Sequence, residues 1–289
     1  MHDNTFLGCS SREIIAGYPT ILGCPLDLTS TYRGGTGSAP DAIRVASDSI
    51  ETYSPFLDAD LENNPFSDLG NVPIADEPLE SCIANIERAA SEILSQGGVP
   101  LCLGGEHTIT LPLARAINRF YPDATIIHLD AHTDLRDSYE GSYINHATVI
   151  RRVCEVIGPD RLIQLGIRSG TLEEFFWMRE HGTRLEWGPG LEKTLLRKVG
   201  DCPVYLTLDL DVLDPACLPA TGNPEAGGWF YHDMERFYQA LCRMHLVGAD
   251  VVELNPGLDS SEVGAITAAK IVRELLLILA MNRRASNPP

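Results

Sequence analysis

Thr125-Ile126-Ile127-His128-Leu129-Asp130-Ala131-His132-Thr133-Asp134 is the stretch that decides the fold. Thr125–Leu129 is a short run rich in apolar and β-branched residues, and it reads as a buried strand. It runs straight into alternating Asp, His and Asp. Alternate residues of an extended chain share one face, so Asp130, His132 and Asp134 converge on one spot. In open parallel sheets, ligands bind beyond the carboxyl ends of the strands, which is where this cluster falls.

Outward from this stretch the pattern repeats. Buried strands are predicted at Thr20–Gly23, Val99–Leu103, Arg161–Gly166, Val204–Leu208 and Leu246–Val252. Helical spacing marks Asp41–Ile50, Leu79–Gln96, Ile109–Phe120, Ala147–Ile157, Thr171–Glu180, Glu192–Val199, Asp233–Met244 and Ser261–Met281. Strands alternating with helices imply βαβ crossovers, hence an α/β fold with a mostly parallel sheet covered on both faces. The proline-dotted Thr52–Pro78 reads as an irregular excursion, and residues 1–289 as a single domain.

Three more strand ends carry polar clusters: Gly104-Gly105-Glu106-His107, Asp209-Leu210-Asp211, and Glu253-Leu254-Asn255-Pro256. Asp209 and Asp211 share a face by the same alternation. Four carboxylates held close together repel, and each is driven towards protonation unless cations intervene. With His107 and His132 the set is too large for one tetrahedral zinc, and it suits two divalent ions of harder character, Mn²⁺ before Zn²⁺. An EF-hand reading of Asp209–Asp214 fails, because Asp214 stands at the glycine position and Ala220 at the glutamate position. No phosphate loop, dinucleotide fingerprint, nucleophile elbow or HExxH is present.

Composition agrees. The 289 residues are 44% hydrophobic, enough for a large core. Lys and Arg number 22 and Asp and Glu 40, a net charge of −18 that argues against nucleic acid or an anionic membrane as partner. The eight cysteines include no CxxC pair and read as buried free thiols. Met1-His2-Asp3-Asn4 opens no secretory signal, and the longest apolar run, Leu275–Met281, is too short to span a bilayer. A cytoplasmic protein without membrane association is expected.

The motifs resemble those of the ureohydrolases, the family of arginase and agmatinase. The matching segments are Gly104–His107, Asp130–Asp134, Asp209–Pro215 and Val251–Pro256, together with Ile21–Asp27 and Arg33–Pro40 near the N-terminus. They cover nearly the whole chain in order. Asp134–Asp137, Ser142–Ala147 and Gly166–Gly170 look agmatinase-like. The resemblance implies a three-layer α/β/α fold, two Mn²⁺ per chain, and homotrimers or homohexamers. It implies hydrolysis of a guanidino compound, agmatine first, to urea and an amine. A hydroxide held between two metals would be the nucleophile, since plain water is too weak for a resonance-stabilised guanidinium carbon.

By the same resemblance, His107, Asp130, Asp134 and Asp211 serve one ion, and Asp130, His132, Asp209 and Asp211 the other. Asp134 also orients the hydroxide, Glu253 clamps the guanidinium, and His146 passes a proton to the leaving amine. Glu106 sits in the same motif as His107 without an assigned role, and supporting the metal ligands is one it could fill. Asp137 and Glu140 are candidates for a substrate ammonium. Family members commonly carry Gly-Thr-Gly-Thr-Pro where this chain reads Ala220-Thr221-Gly222-Asn223-Pro224, so Asn223 replaces a hydroxyl near the substrate. Aminopropylagmatine, guanidinobutyrate and arginine therefore stay open as substrates. A one-zinc deacetylase of related fold is the rival activity, against which Asp134 and Asp209 supply a second carboxylate to each cluster.

Overall fold

The computed structural model describes residues 5–74, 77–186, 188 and 190–286. Met1–Asn4, which entered the reading of the N-terminus, lie outside the described residues. The strands are β1 (Pro19–Cys24), β2 (Tyr53–Ser54), β3 (Ala59–Asp60), β4 (Ser67–Asn71), β5 (Val99–Gly104), β6 (Thr125–Leu129), β7 (Leu162–Leu165), β8 (Pro203–Asp209) and β9 (His245–Val252). The helices are α1 (Ala39–Ser47), α2 (Leu79–Ser95), α3 (Thr110–Phe120), α4 (Val149–Ile157), α5 (Leu172–His181), α6 (Leu191–Val199), α7 (Tyr231–Leu241) and α8 (Val263–Ser286).

Seven strands form one sheet in the order β4-β1-β5-β9-β8-β6-β7, and every neighbouring pair is parallel. Strand alternation sends Ile127 and Leu129 to one face and Ile126 to the other. The first face is covered by α1, α6, α7 and α8 through Ile43, Leu195, Phe237 and Leu275. The second is covered by α2, α3, α4 and α5 through Ile86, Leu113, Val153 and Met178. This is the three-layer α/β/α architecture the motifs implied. Each such side chain contributes about 1.5–3 kcal/mol on burial, which holds the layers together.

The apolar run Leu275–Leu279 in α8 is buried on all sides, because that helix is packed between α1 and β9. Among the described residues, no helix is long and apolar enough to cross a membrane.

The excursion expected over Thr52–Pro78 is partly ordered. It contains the β2–β3 hairpin and the edge strand β4. Strand β4 reads Ser67-Asp68-Leu69-Gly70-Asn71 and lacks an apolar run. Its anchor is ionic instead. The buried Asp68 carboxylate accepts from Arg44 Nε and Nη2, both at 2.9 Å, and from the Phe6 main-chain N–H at 2.9 Å. Arg44 comes from α1, so one bidentate pair ties edge strand, helix and N-terminal segment together.

The order of the sheet decides where chemistry can happen. Strands β5, β9, β8 and β6 are contiguous at its centre, so the four polar strand ends lie side by side. Gly105 follows β5 because nothing larger fits: an added Cβ would lie 1.9 Å from the Leu26 carbonyl oxygen. That close approach lets the Glu106 N–H donate to Leu26 and turns His107 inward.

Candidate metal centre and active site

His107 begins the turn after β5, and its ring is buried. The Thr207 hydroxyl donates to Asp250 Oδ1 at 2.7 Å, so its oxygen accepts from His107 Nε2 at 3.0 Å. That leaves Nδ1 with its lone pair facing inward. Nδ1 lies 3.1 Å from Asp130 Oδ2, 3.0 Å from Asp134 Oδ2 and 3.4 Å from Asp209 Oδ2. It is buried and makes no hydrogen bond. An orphaned imidazole nitrogen ringed by three carboxylates fits a divalent cation.

A second group adjoins it. His132 Nδ1 lies 2.8 Å from Asp211 Oδ2 and 3.6 Å from Asp130 Oδ1. Asp130 thus presents one oxygen to each group, as a bridging carboxylate would. The six expected ligands, His107, Asp130, His132, Asp134, Asp209 and Asp211, are brought together. Of the two aspartates after β8, Asp209 turns its free oxygen to His107 and Asp211 turns its free oxygen to His132, while their other oxygens accept the Asp211 and Ala131 main-chain N–H groups at 2.8 and 3.0 Å.

His128 lies outside the strand-end motifs. It sits two residues before Asp130 on the same face of β6, so the alternation that found Asp130, His132 and Asp134 extends back to it. The Gln164 amide donates to His128 Nδ1 at 3.2 Å and to the Thr133 carbonyl at 3.1 Å. His128 Nε2 is therefore the protonated nitrogen, and it donates to Asp130 Oδ2 at 2.7 Å. His128 orients the bridging carboxylate from behind and is not placed as a ligand. Asp250 plays the equivalent part for His107 through Thr207. A buried Asp inside the apolar strand β9 was the available signal for it.

The electrostatics follow from crowding. Burial, reinforced by Asp211 and Asp130, pushes Asp209 well above the usual carboxylate range. Burial and Asp130 push Asp211 up too. Burial by itself would lower His132, but Asp211 and Asp130 outweigh it and raise it to about 12. Asp130 is held well below its ordinary value despite burial, by His128 and His107. Cations bound here would relieve the repulsion among the aspartates.

A cavity of about 790 Å³ opens onto this cluster, lined by His132, Asp134, Asp209, Asp211, His146, Asn223 and Glu253 among others. Glu253 follows β9 in a left-handed conformation, φ 66°, and Asp134 is likewise left-handed at φ 51°. Such backbone costs a non-glycine residue about 1–2 kcal/mol, and both strained positions carry carboxylates aimed into the site. The Glu253 carboxylate accepts the His107 main-chain N–H at 2.6 Å, and burial pushes its pKa up to about 8.

His146 opens a turn capped by Asn145 that leads into α4, and its ring reaches the cavity wall. Asp137 and Glu140 do not line the cavity. Asp137 is 71% exposed and paired with Arg152 at 3.0 Å, while Glu140 sits exposed in the loop at φ 49°. The wall carries Arg33, Arg136, Tyr139 and Glu225 instead. Glu106 does not touch His107's ring; its carboxylate is turned to Thr29 and Ser30.

Comparisons with known proteins agree with this geometry. An arginase-family model matches residues 19–278. An agmatinase of Bacillus anthracis is 44% identical over 279 residues, covering 93% of this chain and 96% of its own. A guanidinobutyrase of Pseudomonas aeruginosa is 35% identical over 283 residues, covering 93% and 89%. The crystal structure of agmatine ureohydrolase of Thermoplasma volcanium superposes with a TM-score of 0.81 at 30% identity, covering all of this chain and 96% of that one. With its parallel sheet, its paired His and Asp clusters and these likenesses, the chain belongs to the arginase family.

Proposed function

We propose that the protein is a ureohydrolase that cleaves agmatine to urea and putrescine. The observation that carries the reading is the convergence of His107 on Asp130, Asp134 and Asp209 beside the His132–Asp211 pair, at the floor of one cavity that also holds His146 and Glu253. Agmatinases and a guanidinobutyrase among its relatives support a guanidino substrate.

Two divalent ions at this site would supply a water activated for attack at neutral pH. The oxygen-rich ligand set with two imidazoles favours Mn²⁺. The remaining work falls to the chain's own residues. Glu253 pairs with the guanidinium and orients its carbon over the cluster. Asp134 orients the attacking water. The water oxygen bonds to the guanidinium carbon, the bond from that carbon to the alkyl-bearing nitrogen breaks, and His146 passes a proton to the departing amine. Asn223 on the wall offers an amide where a hydroxyl is common, and Glu225 beside it offers the carboxylate for the ammonium tail.

A cytoplasmic setting, a part in polyamine formation and assembly into homotrimers or homohexamers belong to the same proposal. Family membership supports the last two. Eight unpaired cysteines support a reducing compartment. The test is urea release from a panel of guanidino compounds with added Mn²⁺. Agmatine is expected to be cleaved far better than 4-guanidinobutyrate or arginine. Equal or better turnover of an acidic-tailed compound would replace agmatine with that class, in keeping with Arg136 on the wall.

A further inference from the structure

Glu106 neighbours His107 in the chain, yet its side chain serves a different part of the site. It has no exposed surface. Its carboxylate accepts from the Thr29 main-chain N–H at 2.7 Å, the Thr29 hydroxyl at 2.7 Å and the Ser30 hydroxyl at 3.2 Å. These residues lie in the irregular stretch between β1 and the short 3-10 turn Thr36–Ser38 that leads into α1.

Thr29 in turn holds His146. Its carbonyl accepts from His146 Nδ1 at 2.8 Å, and its hydroxyl oxygen accepts the His146 main-chain N–H at 3.3 Å. A carbonyl can only accept, so Nδ1 carries the proton. In the neutral ring the lone pair is then on Nε2, whose neighbour is the Thr31 hydroxyl at 3.3 Å, on the cavity wall. Ring orientation and tautomer are both set by Thr29, and Thr29 is held by Glu106 at both its N–H and its hydroxyl, with the Thr108 hydroxyl 2.9 Å from the latter.

We propose that Glu106 is a positioning residue for proton transfer, acting on His146 through Thr29 rather than on the metal ligand beside it. The inference rests on His146 being the proton donor to the leaving amine. It explains why a buried carboxylate stands at this place: one side chain satisfies three donors of a loop that must not move. A displaced imidazole still lets substrate bind but misses the departing nitrogen, so the loss belongs in kcat.

The experiment is a double-mutant cycle on the metal-loaded enzyme. Glu106→Ala and Glu106→Gln are each made with His146 intact and with His146→Asn. Urea release from agmatine gives kcat and KM, and bound metal is counted for every variant. His146→Asn is expected to lower kcat about 100-fold. Glu106→Ala is expected to lower kcat about 10-fold or more with full metal and little change in KM. Glu106→Gln is expected to restore most of that loss, because the amide oxygen can accept from Thr29 N–H and the amide group can donate to the Thr29 hydroxyl. With His146→Asn in place, Glu106→Ala is expected to add almost nothing.

An equal loss from Glu106→Ala in both backgrounds would overturn the inference while leaving the role of His146 standing. Loss of bound metal would also overturn it, by sending the effect through His107. If His146→Asn alone left kcat unchanged, the reading of His146 would fail and the inference with it.

Discussion

The main-chain N–H of His107 donates to the Glu253 carboxylate at 2.6 Å, so a proposed metal ligand and the proposed substrate clamp are joined by one bond across 146 residues of sequence. The bond orients Glu253 from a left-handed backbone that would otherwise leave its side chain free to turn. It also takes up only one carboxylate oxygen, which leaves the other for a guanidinium.

Glu253→Gln keeps the shape and removes the charge. A hydrogen bond to a charged group is worth about 1.5–3 kcal/mol, so kcat/KM for agmatine should fall about 10- to 150-fold. Metal content should stay at the wild-type level. Steady-state urea release alongside metal analysis checks both.

His128→Phe removes the donor that holds Asp130 Oδ2 and leaves Gln164 with an unanswered N–H. Loss of such a supporting contact weakens metal retention about 10- to 100-fold. Titration of the metal-free protein with Mn²⁺, read by calorimetry, measures it. Unchanged affinity would remove His128 from the account.

Metal removal should make stability fall with pH. Glu253, raised by burial to about 8, and Asp209 and Asp211, raised by burial and mutual repulsion, hold protons that the unfolded chain releases near pH 4. Their contribution is full below that value and is lost as pH rises through the folded values. His132, raised to about 12, acts in the same sense above its unfolded value of about 6.5. Asp130, held low by His128 and His107, acts oppositely, but only as pH falls below about 4. Thermal melts of chelator-treated protein should therefore drop between about pH 5 and 8, and the gain on adding Mn²⁺ should grow over that range.

Glu225→Gln tests the tail. Its main-chain oxygen is held by Arg168, which fixes where its side chain meets the cavity wall. KM for agmatine should rise about 10-fold, the worth of one charge-assisted contact. An alkylguanidine without the ammonium should show no such rise. A parallel change for both compounds would remove Glu225 from recognition.

Asp68→Asn should destabilise the fold without touching chemistry. It breaks a buried bidentate pair and leaves Arg44 only the exposed Asp41, at 3.4 Å, as an ionic partner, a loss of about 3 kcal/mol. Urea denaturation followed by circular dichroism reads the change.

Most of the sheet could be read from apolar runs, because strands buried on both faces have little choice of residue. Strand β4 could not, because Arg44 and Asp68 hold it by charge, and a charge pair has no periodicity to detect. The six candidate ligands were legible because they cluster just beyond the ends of three central strands, β5, β6 and β8. Which oxygen each aspartate after β8 turns inward was not, since main-chain N–H groups of Asp211 and Ala131 claim one oxygen each of Asp209 and Asp211. Asp137 and Glu140 were drawn by closeness in sequence, but the loop turns both outward, and Glu225, remote in sequence, reaches the wall in their place.

The place of β9 in the sheet has a consequence for how the protein comes into being. It is the last strand of the chain, and it lies in the middle, between β5 and β8. Until it inserts, β5 with His107 shares no strand pairing with the β8–β6 pair that carries the aspartates, and only helix contacts such as α3 on α4 join the two. Ions held by both halves would then find their site set only once the central strand has docked, and metal uptake would be a late event in biogenesis. Pairings this distant in sequence form slowly, so the exposed edges of β5 and β8 define the interval in which a newly made chain is vulnerable to aggregation.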